Sequence, residues 1–152
     1  MRGLGQIENL SKFSEPDIAV ITNIGNSHIG ILGSKENITY AKCEITNFLN
    51  PMGVVIIPAN DFFLEAALKR KWKGRIIKVE LLDIKEKKKT IKKQDNLQGF
   101  FDQSKNSIII NDKAFEISYK GFHNAFNFLF AYAVAKEFGV EFKDFNLSLI
   151  HI

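Results

Sequence analysis

The chain has 152 residues, 45% hydrophobic and 25% charged, with a formal net charge of +4, the profile of one ordinary globular domain with a real core. Its one cysteine, Cys43, excludes an internal disulfide framework and a cysteine-rich zinc site. No apolar run is long enough to cross a bilayer and MRGLGQIENL lacks a signal-peptide core, so a reducing cytoplasm is the expected compartment.

Residues 1–15 read as a loop or a short helix. PDIAVITNIG, residues 16–25, reads as a buried strand of a parallel sheet: apolar, β-branched, opened by Pro16 and closed by a glycine turn. A glycine loop with Gly25, Gly30 and Gly33 follows and holds His28. SKENITYAKCEITNFL, residues 34–49, predicts a helix with Ser34 as N-cap and Ile38, Ala41, Ile45 and Leu49 at helical spacing. GVVIIPAND predicts a second strand, FFLEAALKRK a helix, and RIIKVELL a third strand. This β-α-β-α-β order implies parallel strands with right-handed crossovers. Ile18–Thr22, Val54–Pro58 and Ile76–Glu80 are expected to be parallel neighbours or near neighbours, with His28 at the rim beyond their carboxyl ends.

Residues 85–93, KEKKKTIKK, carry a local charge of +5, which leaves −1 on the rest of the chain. Without interleaved aromatics, this stretch reads as a solvated loop or hairpin edge rather than a nucleic-acid contact. From about residue 97 to 120 the pattern changes. NLQGFFDQ, SIIIND and KAFEISYKG predict antiparallel strands, with turns at Ser104–Asn106 and Asn111–Asp112. HNAFNFLFAYAVAKEFGV is the clearest helix, opened by Asn124 or by Gly121 just upstream and closed by Gly139. The ending, LSLIHI, matches the translation of a common sequencing adapter, so Leu147–Ile152 are expected to be a non-native tail. A C-terminal helix from Phe145 is the other reading.

Ligands of open parallel sheets bind beyond the carboxyl ends of strands. Asn23 to His28 occupy such a place, where glycines admit a phosphate and an imidazole can meet a cation or an anion. A solvated loop histidine is the plain alternative. Lys42 follows 14 residues later in a helix. A mid-helix lysine is ordinarily a solvated charge, but burial would leave part of its amine neutral. Neutral amine can take up carbon dioxide as a carbamate, an oxygen ligand suited to Mg²⁺. Glu44 would point about 200° away around the same helix, which suits a structural or supporting role. Asn124 and Asn127 share one helix face and can cap the helix or read a base edge. Capping accounts less easily for Asn127, because asparagine is a poor helix-interior residue.

PDIAVITNIGNSHIGILGSKENITYAKCEI, with its phrase TNIGxxHxxxxGS…AKxEI, resembles the central domain of the Mur ligases, and GFHNAFNFLFAYAVAKEFGV is similar to that family's HN-x-x-N helix. The resemblance covers about residues 1–146 and is nearest to the D-alanyl-D-alanine-adding branch. It implies a three-layer parallel α/β sheet of P-loop type, and an ATP-dependent carbon–nitrogen ligase of peptidoglycan synthesis. That enzyme phosphorylates a UDP-muramoyl peptide carboxylate and passes the acyl phosphate to D-alanyl-D-alanine. The implied cofactors are ATP, Mg²⁺ and a carbamylated lysine. By position, His28 and Lys42 match the magnesium-positioning residues, Asn124 and Asn127 the adenine-side asparagines, and Thr22 and Asn23 the strand-end pair beside the phosphates. A monomeric parent acting without nucleic acid or membrane is expected.

The departures are equally specific. The chain has no G-x-x-x-x-G-K-[ST] loop. Counterparts of the family's magnesium-binding glutamate, expected just before Met1, and of its two flanking domains are also not found in this sequence. Residues 1–146 are therefore expected to be the latter part of a central domain, inactive alone. Another amino-acid-adding Mur ligase and a free-standing nucleotide- or metal-binding module are the alternatives.

Overall fold

The structure is a computed structural model that describes residues 3–25, 29–87 and 96–140. His28, most of the lysine-rich stretch and the expected tail lie outside them. The chain divides into two compact units, residues 1–77 and 78–152. The architecture is mixed α/β, as expected.

In the first unit, helix α1 (Gln6–Ser14) leads into strand β1 (Ile18–Val20). β1 pairs in parallel with β2 (Val54–Pro58), with Ile18 opposite Val54 and Val20 opposite Ile56. The strand is shorter than its apolar run, but Ile21 N–H still donates to the Ile56 carbonyl at 3.0 Å. A short helix, α2 (Ile29–Leu32), stands where the sequence suggested only loop. It ends at Gly33, whose φ of +80° few other residues adopt.

Helix α3 (Lys35–Cys43) opens as expected. Ser34 Oγ accepts from Asn37 N–H at 3.1 Å, and Asn37 Nδ2 donates to the Leu32 carbonyl at 2.7 Å. The predicted single helix to Leu49 is not continuous: it tightens into a 3₁₀ turn at Glu44–Thr46. Thr46 Oγ1 donates to the Cys43 carbonyl at 2.8 Å, a local bond that competes with the regular helical ladder. Helix α4 (Phe62–Lys71) is capped by Asp61, whose carboxylate accepts from Leu64 N–H at 2.9 Å. Its last turn carries Lys69, Arg70 and Lys71, the sign that a helix C-terminus favours. One face of the β1–β2 pair, with Ala19, Ile21, Val55 and Ile57, packs with Ile38, Ala41, Leu64, Leu68 and Trp72 of α3, α4 and the residue after it.

Strand β3 (Arg75–Asp83) runs into the second unit and pairs there in parallel with β4 (Asn96–Asp102). β4 pairs antiparallel with β5 (Ser107–Ile110), and β5 with β6 (Lys113–Glu116). The antiparallel expectation thus holds for two junctions, while β4 is also the last strand of a parallel pair. Asp102 organises the first turn. Its Oδ1 accepts from the Ser104 hydroxyl and from two backbone N–H groups, and the Ser104 bond first of all holds its carboxyl below the usual range. Asn111 and Asp112 make the second turn with φ of +49° and +63°, a geometry asparagine and aspartate tolerate.

Helix α5 (Phe122–Glu137) opens at Gly121 rather than Asn124. It closes as a Schellman motif: Gly139 (φ +73°) donates to the Lys136 carbonyl and Val140 to the Ala135 carbonyl. Its apolar stripe, Ala125, Phe128, Leu129 and Ala133, is buried. Gly99 of β4 makes room for it, because a Cβ there would stand about 3 Å from both Leu129 methyls.

Candidate active site

In the first unit the chain leaves β1 through Thr22 and Asn23, both exposed, and turns inward again at buried Ile24. Lys42, half-buried in the last turn of α3, reaches that strand end. Its Nζ donates to the Asn23 backbone carbonyl at 2.7 Å. Desolvation lowers its pKa from the ordinary 10.5. The backbone geometry explains the reach. Ser34 fixes where α3 starts, and Ile38 and Ala41 seat it on the sheet, so position 42 falls on the flank that faces the strand-end loop. Three of the sequence-predicted residues, Thr22, Asn23 and Lys42, therefore stand together. His28 lies outside the described residues.

In the second unit Asn124 and Asn127 lie one turn apart on α5. Asn124 Nδ2 donates to the Lys120 carbonyl at 2.8 Å, bracing the chain just before the helix rather than capping its N–H groups. Asn127 is exposed.

The Mur ligase middle-domain model matches residues 1–135. The chain belongs to that family. Among curated relatives, the UDP-N-acetylmuramoyl-tripeptide–D-alanyl-D-alanine ligase of Synechocystis sp. is 31% identical over 149 residues, which are 98% of this chain and 30% of that protein. The enzyme of the same name from Bacillus subtilis is 34% identical, covering 95% of this chain and again 30% of the relative. The chain thus spans about a third of the length of the relatives it matches. A crystal structure of MurF from Acinetobacter baumannii superposes with a TM-score of 0.75 at 25% identity, over 99% of this chain and 32% of that one.

Within this Mur ligase middle domain, the described residues hold no group of three or more His, Cys, Asp or Glu suited to a metal. As a carbamate, Lys42 would bring an anionic oxygen beside the Asn23 loop. The lowered Lys42 pKa leaves more of its amine neutral than in a solvated lysine, and the neutral amine is the form such a modification needs. No helix among the described residues is long and apolar enough to cross a membrane.

The sequence reading assigned Glu44 no partner. Glu44 is 6% exposed, and its carboxylate reaches back to the first turn of α1, accepting from Gly5 N–H at 2.7 Å and Glu8 N–H at 3.4 Å. One signal was available. The helix at residue 6 opens after Gly5, which has no side chain to cap it, so its first N–H groups need an acceptor from elsewhere.

Proposed function

We propose that this chain is the middle-domain part of a cytoplasmic, ATP-dependent ligase that joins D-alanyl-D-alanine to a UDP-muramoyl peptide in peptidoglycan synthesis. The observation that carries the reading is the Lys42 amine: partly desolvated, in the last turn of α3, and hydrogen-bonded to the strand-end carbonyl of Asn23. The matched relatives, named for this reaction, support the choice of substrates.

In this reading ATP phosphorylates the peptide carboxylate, and the amine of D-alanyl-D-alanine displaces phosphate from the acyl phosphate. Mg²⁺, when bound, supplies charge stabilisation for the transferring phosphoryl group. Lys42, as a carbamate, and His28 hold the cation. Thr22 and Asn23 line the phosphate side and orient the reacting groups. Asn124 and Asn127 offer amide donors and acceptors to the adenine.

The test is Lys42→Ala in the full-length ligase, which should lose most of its turnover. Acetate added to that variant should restore part of it by returning oxygen ligands to the emptied space. Lys42→Arg should stay inactive, because guanidinium keeps its charge and forms no carbamate. Near-normal turnover of Lys42→Arg would reduce the lysine to a positive charge and overturn the assignment.

A further inference from the structure

Residues 5–23 form one continuous segment: α1, the turn through Pro16, β1 and the strand-end loop. The segment is tied to α3 and the turn after it at both of its ends. At its start, the buried Glu44 carboxylate accepts from Gly5 and Glu8 N–H. At its finish, Lys42 Nζ donates to the Asn23 carbonyl. The two tying residues are two positions apart and project from different sides of the helix end, one toward α1 and one toward the strand end. A third tie holds the middle: Asn50 donates to the Pro16 carbonyl at 2.9 Å and to the Asp17 carboxylate at 2.7 Å.

We propose that Glu44 is the positioning residue of this site: by anchoring the first turn of α1 it fixes the helix end that presents Lys42 to the Asn23 loop. The inference rests on the reading of Lys42 as the functional amine. Several features make the anchor specific. Gly5 has φ +79° and no capping side chain, so α1 has no acceptor of its own there. A buried carboxylate accepting N–H bonds at a helix N-terminus is also in its favourable place electrostatically. Removing it would leave two N–H groups without their acceptor beside an emptied pocket. The helix end would then lose its hold on one side only, which tilts Lys42 rather than unfolding the domain. Positioning errors of about 1 Å cost roughly a hundredfold in rate when they reach the reacting groups.

The experiment compares Glu44→Ala, Glu44→Gln and Gly74→Ala in the full-length ligase. Gly74→Ala serves as a stability control, since it crowds Trp72, whose indole N–H bonds the Arg75 carbonyl and takes no part in the Glu44 anchor. Backbone hydrogen exchange at Gly5 and Glu8 should speed up in both Glu44 variants and not in Gly74→Ala. With each protein confirmed folded at the assay temperature, Glu44→Ala should lose roughly tenfold or more in kcat while KM for ATP stays within about twofold. Glu44→Gln should fall between it and wild type, because its amide oxygen still accepts from one N–H. If Glu44→Ala does not fold, Glu44→Gln against Gly74→Ala decides. Folded Glu44 variants turning over as fast as Gly74→Ala, in an enzyme that Lys42→Ala inactivates, would overturn the positioning role alone. An active Lys42→Ala would overturn the reading beneath it.

Discussion

The seating of α5 on β4 can be tested by a double-mutant cycle at Gly99 and Leu129. A Cβ at Gly99 would stand 2.7 Å from Ile108 Cδ1 and 3.0 and 3.1 Å from the two Leu129 methyls. All three neighbours are ends of flexible side chains, so they can give way. Gly99→Ala alone should cost about 1–2 kcal/mol from overpacking. Leu129 is fully buried, and Leu129→Ala should cost about 3 kcal/mol from lost transfer energy and the cavity left behind. Independent effects would sum to about 4–5 kcal/mol. In the double variant, however, the new Cβ grows into the space that the leucine methyls vacate. The crowding against Leu129 is relieved and part of the cavity fills, while the contact with Ile108 stays, so the total should be about 3–4 kcal/mol, a coupling of about 1 kcal/mol. Equilibrium urea unfolding of the four proteins, followed by far-ultraviolet circular dichroism, reads all the terms. Additivity within about 0.5 kcal/mol would mean that α5 does not rest on Gly99, and the placement of Asn124 and Asn127 would lose its support.

Burial pushes the Cys43 thiol up from 9.0 to about 11, against a smaller opposite pull from the Lys71 charge. The unfolded chain therefore releases this proton first, so the contribution is intact below pH 9.0 and is lost as pH rises toward about 11. Cys43→Ala should flatten that fall in urea titrations across the alkaline range, and an unchanged slope would show that the thiol is not shielded. Gly74→Ala should destabilise by about 1–3 kcal/mol, because its Cβ would meet Trp72 Cε2 at 2.7 Å, and tryptophan emission should shift as the ring moves. The 152-residue chain alone should release no phosphate from ATP, since it carries no Walker-type glycine loop; release that disappears on His28→Ala would refute this.

Much of the chain is locally determined and was legible in sequence. Ser34 and Gly139 mark helix ends because caps satisfy backbone groups within a few residues. The apolar spacing of Ile38, Ala41 and Leu49 named residues that are buried, and Asn111–Asp112 named a turn through the φ values such residues tolerate. The two motifs that carry the family resemblance were equally plain, and they put Asn23 and Lys42 on a list before any geometry was known.

Other features depend on groups distant in sequence, and no local pattern encodes them. The break after Cys43 was hidden because Ile45 and Leu49 keep helical spacing even where the backbone tightens around the Thr46 hydroxyl. The parallel pairing of β4 was hidden because its alternation matches either neighbour direction. Most telling is Glu44. Sequence could say that it points away from Lys42, by helix geometry alone. Only the tertiary fold, which brings Gly5 and Glu8 from 39 and 36 residues away, makes that carboxylate the cap of another helix. A charge is buried at a helix end only when its partners arrive there, and their arrival is a property of the packed chain.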